Sequence, residues 1–570
     1  MLDITCTKGG NFLKSIALFG LTGQGIETAG EILSKVIESL GYTHRNWRDF
    51  STIIRGGYTS FEIYIADKYE TESPPRLEEI DLAVVWTDEG VDRYLSRLKD
   101  KSMIFGPANV KSISIDHQGN PPKLGFNIWS LGIICGHLGI PYQLVMKEVE
   151  MRFKKGKNSD LFESGYQLGL TVRSEEPLSD LGVENATISG NDALCLGAIA
   201  GDVRYYYGYP ITPASEILEN LSKWLPPLGG GTFQVEDEIA AIHAALGCSY
   251  AGKRTFVATS GPGLALMTEG LGYAAATEIP LVLVDNQRGG PSTGMPTKTE
   301  QSDLLHLMNA GHGEFARILL TPTSVLDCIV TIQEALNLSE YYQCPVIIAL
   351  DLDLALRKIS IPWERIESAI SSVEIDRGPT FLKSSIEGIY KRFAAVGSSP
   401  PIRTVPGVKG GAYVASGDEH DEKGLMEPDF KKVRRTLHIR RLNKANSIQY
   451  NRPFSRVGDE GSPITIIGTG AMGELIENFV KNNPGVYQGL LIRQLAPLPK
   501  EELTVALKNA KRIVVAEYNA KAQIRTILES VLEDKEVHSL LRFDGEHFTD
   551  KEFNEEILAI LNEVTSNLTN

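Results

Sequence analysis

Four short runs constrain this chain more than anything else in it: RTFVATS, PLVLVDN, ARILLTP and CPVIIALD. Each is a nearly unbroken row of aliphatic and β-branched residues, and each is followed by a stretch with helical character. A strand that is apolar on both sides must be covered on both faces. Strands that alternate with helices run parallel. Residues 190–370 therefore predict an α/β domain built on a doubly covered parallel sheet. Open sheets of that kind bind ligands beyond the carboxyl ends of their strands, so the residues just after each run are where chemistry is expected.

The same alternation frames two other regions. Residues 12–180 open with SIALFGLTGQGIETAGEILSKVIESLG, which reads as a strand, a glycine loop and an amphipathic helix ending at Gly41. FEIYIA and DLAVVW follow as strands, and the acidic stretch SEEPLSDLGVEN closes the region. Residues 456–570 return to the α/β pattern with SPITIIGTGAMGELIENFV, GLLIRQLAPLP and RIVVAEYN. Between them, residues 371–455 show little regular pattern. They carry the basic run KKVRRTLHIRRLNK, which reads as a solvated helix face or a subunit contact because the chain as a whole has a net charge of −15.

That acidity argues against nucleic acid and anionic membranes as partners. The most apolar window, GLGYAAATEIPLVLVDN, is broken by Glu278 and Pro280 and reads as core rather than as a membrane span. MLDITCTKGGNF lacks the basic-then-apolar order of a signal peptide, and a cytoplasmic location is expected. The six cysteines, at positions 6, 135, 195, 248, 328 and 344, form no CxxC pair. No zinc or iron–sulfur ligand set is expected in this chain, and no metal ligand is assigned.

Two glycine loops invite a dinucleotide reading. GTGAMG, Gly468–Gly473, matches GxGxxG between a strand and a helix, but the acid needed about 20 residues later to hold a ribose is replaced by Arg493. A tight strand-to-helix turn is the expected role. GLTGQG, Gly20–Gly25, lacks the third glycine at the right offset.

Between residues 205 and 301 the strand ends become informative together. In YYYGYPITPASEIL, Thr212 lies between Pro210 and Pro213 at the start of a helix, where free backbone amides suit an anion. In QVEDEIAAIHAALG, three acids, Glu236, Asp237 and Glu238, lead into a helix that reads as apolar all round. A carboxylate at the head of a buried helix needs a partner. ATSGPG sets Ser260, Gly261, Pro262 and Gly263 at a strand end. DNQRGGPSTGMPTKTEQSD then offers Arg288, Ser292, Thr293, Thr297 and Lys298 on a glycine-rich loop, and the guanidinium fork suits a carboxylate. Four successive strand ends thus converge on one mouth.

YPITP, EDEIAA, TSGPG and QRGGPSTGMPTK together resemble the alpha subunit of 2-oxoacid:ferredoxin oxidoreductases. The similarity runs over nearly the whole chain. GQG and IIRGG in residues 12–180 resemble the family's gamma domain. PGVKGGAYVASGDEHDEKG and RFDGEHFTDKEF resemble later alpha-subunit segments. The fold implied is α/β and multidomain: a gamma-type α/β domain (12–180), a pyrimidine-binding thiamine diphosphate module (190–370), a connecting segment (371–455) and a transketolase C-terminal-like domain (456–570).

The resemblance also implies a partner for the acid. Glu238 would bond N1′ of the aminopyrimidine and favour the tautomer that activates the thiazolium carbon; Glu236 is the second candidate. Tyr209, Pro210, Ser260, Gly261 and Pro262 would line the cofactor. Thr212, Arg288, Thr297 and Lys298 would hold the 2-oxoacid. The chain has no GDG motif for a diphosphate, so the resemblance implies a beta subunit that supplies the diphosphate site, Mg²⁺ and a 4Fe–4S cluster. Ferredoxin would take the electrons and coenzyme A the acyl group, in a dimer of alpha–beta heterodimers. Pyruvate, 2-oxoglutarate, branched-chain and indolepyruvate acids are the candidate substrates, with 2-oxoglutarate favoured, and the reverse carboxylation is open. Two other readings stand beside this one: a self-sufficient non-redox thiamine lyase or synthase, and a non-catalytic interaction subunit.

Overall fold

An eight-stranded mixed sheet carries the N-terminal unit. Its order is Gln118–Gly119, Ile104–Pro107, Leu82–Val85, Phe12–Leu21, Tyr58–Ala66, Thr43–Phe50, Lys358–Pro362 and Asn185–Ile188. The structure is a computed structural model that describes residues 12–50, 57–67, 77–122, 124–153, 158–381, 385–394 and 402–567. Cys6 and residues 53–56 of the IIRGG motif lie outside the described residues. Strand periodicity explains the two-sided core. Ile16 and Leu18 face the Ile26–Ser39 helix with Ala29, Leu33 and Val36, whereas Ala17 and Phe19 face Tyr64, Val85 and Tyr94. This unit comprises residues up to 189 together with 357–366 and 548–555. The Lys358–Pro362 strand pairs antiparallel with both Thr43–Phe50 and Asn185–Ile188. It falls within the stretch that sequence pattern alone assigned to 190–370.

The second unit comprises residues 190–356, 367–547 and 556–570. Its first sheet runs Val257–Thr259, Leu281–Gln287, Pro345–Asp351, Ile318–Leu320 and Gln494–Ala496. The first four strands are parallel, and the last pairs antiparallel. Tyr205–Gly208 and Gly231–Gln234 form a parallel pair beside Val257–Thr259. Every residue of Leu281–Gln287 and Pro345–Asp351 is buried, as expected of strands covered on both faces. A second sheet, Phe454–Gly458, Tyr487–Ile492, Ile464–Gly468, Arg512–Glu517 and Glu536–Leu541, shares one apolar core with the first.

Residues 371–455 are fastened largely by charge. Buried Glu340 receives Arg254, Arg377 and Arg403 at 2.8, 2.6 and 3.2 Å. Buried Glu278 receives Arg392, Arg440 and Lys444 at 3.2, 2.8 and 2.9 Å. Burial alone would raise the Glu278 pKa, but Lys444, Arg440 and Arg392 hold it far below the ordinary value. The basic run is in part the solvated helix face expected of it, with Lys431, Lys432, Arg434 and Arg435 exposed, but it also has an inward face. It forms the Phe430–Ser447 helix, whose Arg440 and Lys444 turn inward to Glu278 while Arg434 and Arg441 meet Glu419. Among the described residues no helix is long and apolar enough to cross a membrane.

Candidate active site

Three adjacent acids have three different surroundings. Asp237 is the N-cap of the Glu238–Tyr250 helix, and its carboxylate accepts from the Ala240 amide at 2.7 Å. Glu236 is exposed. Glu238 is only 7% exposed and turns inward in the first helical turn. There it lies against Gly263. A Cβ added at Gly263 would stand 2.0 Å from Thr259 Oγ1, 2.6 Å from Glu238 Cγ and 2.7 Å from its Oε1. No other side chain could occupy residue 263 without displacing the acid. Among the described residues, the Glu238 carboxylate has neither an ion-pair nor a hydrogen-bond partner.

The helix it heads departs from the expectation of burial all round. Ile239 is 46% exposed, and His243 and Gly247 are exposed below it. The neighbouring Gly261–Thr277 helix presents Leu266 and Glu269 beside them, with Glu269 3.6 Å from His243. An apolar composition does not distinguish a helix covered by its own chain from one left bare on one side.

Ser260 is the N-cap of the Gly261–Thr277 helix and is fully buried, yet its hydroxyl makes no capping bond and has no partner. Pro262 fills an early position of that helix. Tyr209, Pro210 and Thr212 follow the Tyr205–Gly208 strand; Tyr209 and Pro210 are exposed. Arg288, 8% exposed, donates from Nη1 to the Thr212 carbonyl at 2.6 Å, while its Nε has no partner. Burial depresses its pKa, and nearby Asp303 opposes the shift. No carboxylate lies within ion-pair distance of it among the described residues.

The loop after Arg288 closes on itself. Gly289 N donates to Lys298 O at 3.0 Å and Met295 N to Gly289 O at 2.8 Å. Thr297 and Lys298 are thereby returned next to Arg288. The Thr297 hydroxyl is buried without a partner. Lys298 Nζ pairs with Glu546 at 2.9 Å.

Sequence pattern missed an acid pair beneath this mouth. Asp285, at the end of a buried strand, and Asp303, before the Leu304–Asn309 helix, are within hydrogen-bonding reach of each other. Burial and then mutual repulsion raise the pKa of Asp285, and burial and then Glu300 raise that of Asp303. The only signal was an Asp inside an otherwise aliphatic strand. The GTGAMG loop, by contrast, is filled by the protein itself. Buried Asp351 accepts from Ala471 N at 2.8 Å and Gln301 Nε2 at 3.0 Å, and Arg493 pairs with Asp327.

Comparison with known proteins gives consistent matches. Residues 196–435 match the family described as pyruvate flavodoxin/ferredoxin oxidoreductase, thiamine diphosphate-binding, and residues 15–168 match pyruvate ferredoxin/flavodoxin oxidoreductase. A 2-oxoacid:ferredoxin oxidoreductase alpha subunit of a Sulfolobus species is 29% identical over 95% of this chain and 96% of its own length. The 2-oxoglutarate synthase subunit KorA of Methanothermobacter marburgensis is 34% identical over 64% of this chain and 96% of its own. A solved 2-oxoglutarate:ferredoxin oxidoreductase from Magnetococcus marinus, with 2-oxoglutarate, coenzyme A and succinyl-CoA bound, superposes with a TM-score of 0.83 at 28% identity. It covers 96% of this chain and 99% of its own.

A parallel α/β sheet whose strand ends gather an unpartnered acid and an unpaired guanidinium, within a thiamine diphosphate-binding family domain, marks an oxidoreductase of the thiamine diphosphate class. The chain belongs to the 2-oxoacid:ferredoxin oxidoreductase family, as an alpha subunit.

Proposed function

We propose that this subunit serves the coenzyme A-dependent oxidative decarboxylation of a 2-oxoacid, with 2-oxoglutarate favoured, yielding acyl-CoA, carbon dioxide and reduced ferredoxin. The observation that carries the reading is Glu238: a buried carboxylate without a partner among the described residues, seated against a glycine whose Cβ would displace it. The buried, unbonded Ser260 hydroxyl at the head of the next helix also fits a cofactor edge rather than a structural role. When bound, thiamine diphosphate supplies the electron sink that lets a 2-oxoacid lose carbon dioxide.

The chain's own residues do the rest. Glu238 holds a proton between its carboxylate and the ring nitrogen N1′. Gly263 leaves room for that contact, and Ser260, Gly261, Pro262, Tyr209 and Pro210 border the ring. Arg288, anchored through Thr212, presents Nε to the substrate carboxylate, and the Thr297 hydroxyl faces the 2-oxo group. Lys298 stands beside them as a second cation. The guanidinium, which has no direct ion-pair contact among the described residues, is the feature that suits an anionic ligand, because burying a cation without such a contact is otherwise costly.

A beta subunit completes the enzyme by holding the diphosphate, Mg²⁺ and a 4Fe–4S cluster, in a dimer of alpha–beta heterodimers. The bare face formed by Ile239, His243, Leu266 and Glu269, on the two helices that frame Glu238, supports a partner at this edge. The same residues serve the reverse carboxylation when reduced ferredoxin is abundant. The substrate preference follows the relatives: the Methanothermobacter subunit is named a 2-oxoglutarate synthase, and the Magnetococcus enzyme was solved with 2-oxoglutarate. The test is turnover of 2-oxoglutarate and pyruvate by the chain reconstituted with its beta subunit, coenzyme A and ferredoxin. Acyl-CoA formation that requires both subunits is expected. Decarboxylation by the isolated chain, or none with either acid, would overturn the reading.

A further inference from the structure

Lys298 does not stand alone beside Arg288. Its ammonium is engaged by Glu546, which is 248 residues later in the sequence. The turn that delivers Glu546 is braced at several points. Arg542 Nε donates to Asp544 Oδ1 at 3.2 Å, and the same oxygen accepts the Glu546 amide at 2.9 Å. Gly545 has φ +79°, and a Cβ there would lie 2.9 Å from Lys298 Cβ and 3.2 Å from Met295 Sδ. His547 stands 3.3 Å from Asp353. The turn is therefore pressed onto the substrate loop itself, and the carboxylate it carries is placed rather than loose. Lys298 is 15% exposed and Glu546 42% exposed.

We propose that Glu546 is a specificity-determining residue: by occupying Lys298 it sets the preference between 2-oxoacids with one carboxylate and those with two. The proposal rests on the reading of the Arg288 mouth as a 2-oxoacid site. A monocarboxylic 2-oxoacid spends its charge on Arg288 and needs nothing from Lys298. A dicarboxylic one brings a second negative charge toward the same loop, where Lys298 is a cation that Glu546 already engages. The second carboxylate must compete with Glu546, or approach it at the cost of like-charge repulsion. Because Glu546 is partly exposed, the competition is winnable, so 2-oxoglutarate is still accepted and Glu546 tempers its advantage over pyruvate without abolishing it.

The test is Glu546→Gln in the reconstituted alpha–beta complex, with kcat/KM measured on pyruvate and 2-oxoglutarate. The ratio for 2-oxoglutarate over pyruvate is expected to rise about fivefold, the factor that corresponds to a partly exposed ion pair. The rise should come from tighter binding of the dicarboxylic acid, seen as a lower KM with kcat unchanged. In a Lys298→Gln background the same substitution should no longer move the ratio. If both substrates change together, Glu546 only braces the loop and the proposal fails; an unchanged ratio overturns it as well. Should Glu546→Gln not assemble, Glu546→Asp retains the charge but withdraws it, and a smaller shift in the same direction is expected; no shift there counts against the proposal. If the unsubstituted complex turns over neither acid, the 2-oxoacid reading beneath the proposal falls with it.

Discussion

Arg288 donates through Nη1 to the main-chain oxygen of Thr212 at 2.6 Å, which joins two strand ends 76 residues apart in sequence. The bond uses a donor on one side of the guanidinium and leaves Nε free on the other. A lysine at this position has no such fork and cannot hold the carbonyl and a ligand carboxylate in fixed geometry together. In the reconstituted enzyme, Arg288→Lys is expected to raise the KM for a 2-oxoacid by about 10- to 100-fold, a loss in the range of a charge-assisted contact. Steady-state kinetics check this; an unchanged KM would remove Arg288 from the substrate site.

Glu238→Gln keeps shape and removes the ionisable proton. Turnover in the complex should fall by about 10²- to 10⁴-fold, the usual weight of a positioned acid or base. Because the carboxylate has no internal partner among the described residues, the melting temperature should not drop. Gly263→Ala separates position from charge: it retains Glu238 but pushes it aside, so calorimetric affinity for thiamine diphosphate should weaken with it.

Glu278 is expected to contribute acid sensitivity to the second unit. Its folded pKa lies below the ordinary 4.5 because Lys444, Arg440 and Arg392 outweigh burial. Its stabilisation is therefore complete above pH 4.5 and is lost as the pH falls below that value. Glu278→Gln, which leaves three cations facing a neutral group, should cost about 3–5 kcal/mol at pH ~7 and flatten the acid limb of a denaturation profile.

The Asp285–Asp303 pair acts in the opposite sense. Burial and then Asp303 raise the carboxyl of Asp285, and burial and then Glu300 raise that of Asp303, above the ordinary 3.8. The associated stability is full below that pH and declines as the pH rises until the folded pair ionises. Asp303→Asn removes the second negative charge beside Asp285, and the melting temperature should then vary less between about pH 4 and neutrality than in the unsubstituted protein. A parallel pH profile for both proteins would refute the coupling between the two acids.

The parallel sheet was legible because fully buried strands such as Leu281–Gln287 and Pro345–Asp351 must be spelled with aliphatic residues throughout. The strand ends were legible for the same reason, since a sheet of this kind exposes its polar chemistry only there. The choice of Glu238 over Glu236 rested on the family resemblance, because residue types do not specify helix register; Asp237 takes the cap, and that sets which acid turns inward. The Lys298–Glu546 pair joins segments far apart in sequence, so no local pattern could announce it. Asp285 was hidden inside a run that otherwise reads as plain strand. The basic run in 431–444 does not declare its inward face, because its acidic counterparts, Glu278 and Glu419, come from other segments.

The Lys358–Pro362 strand has a bearing on biosynthesis. It lies between Thr43–Phe50 and Asn185–Ile188 in its sheet, so the N-terminal unit lacks an interior strand until residue 362 has left the ribosome. Nascent chains usually fold domain by domain from the front. Here the leading unit must wait with a gap in its ladder, and a gene divided near residue 190 would leave its product with an open sheet edge.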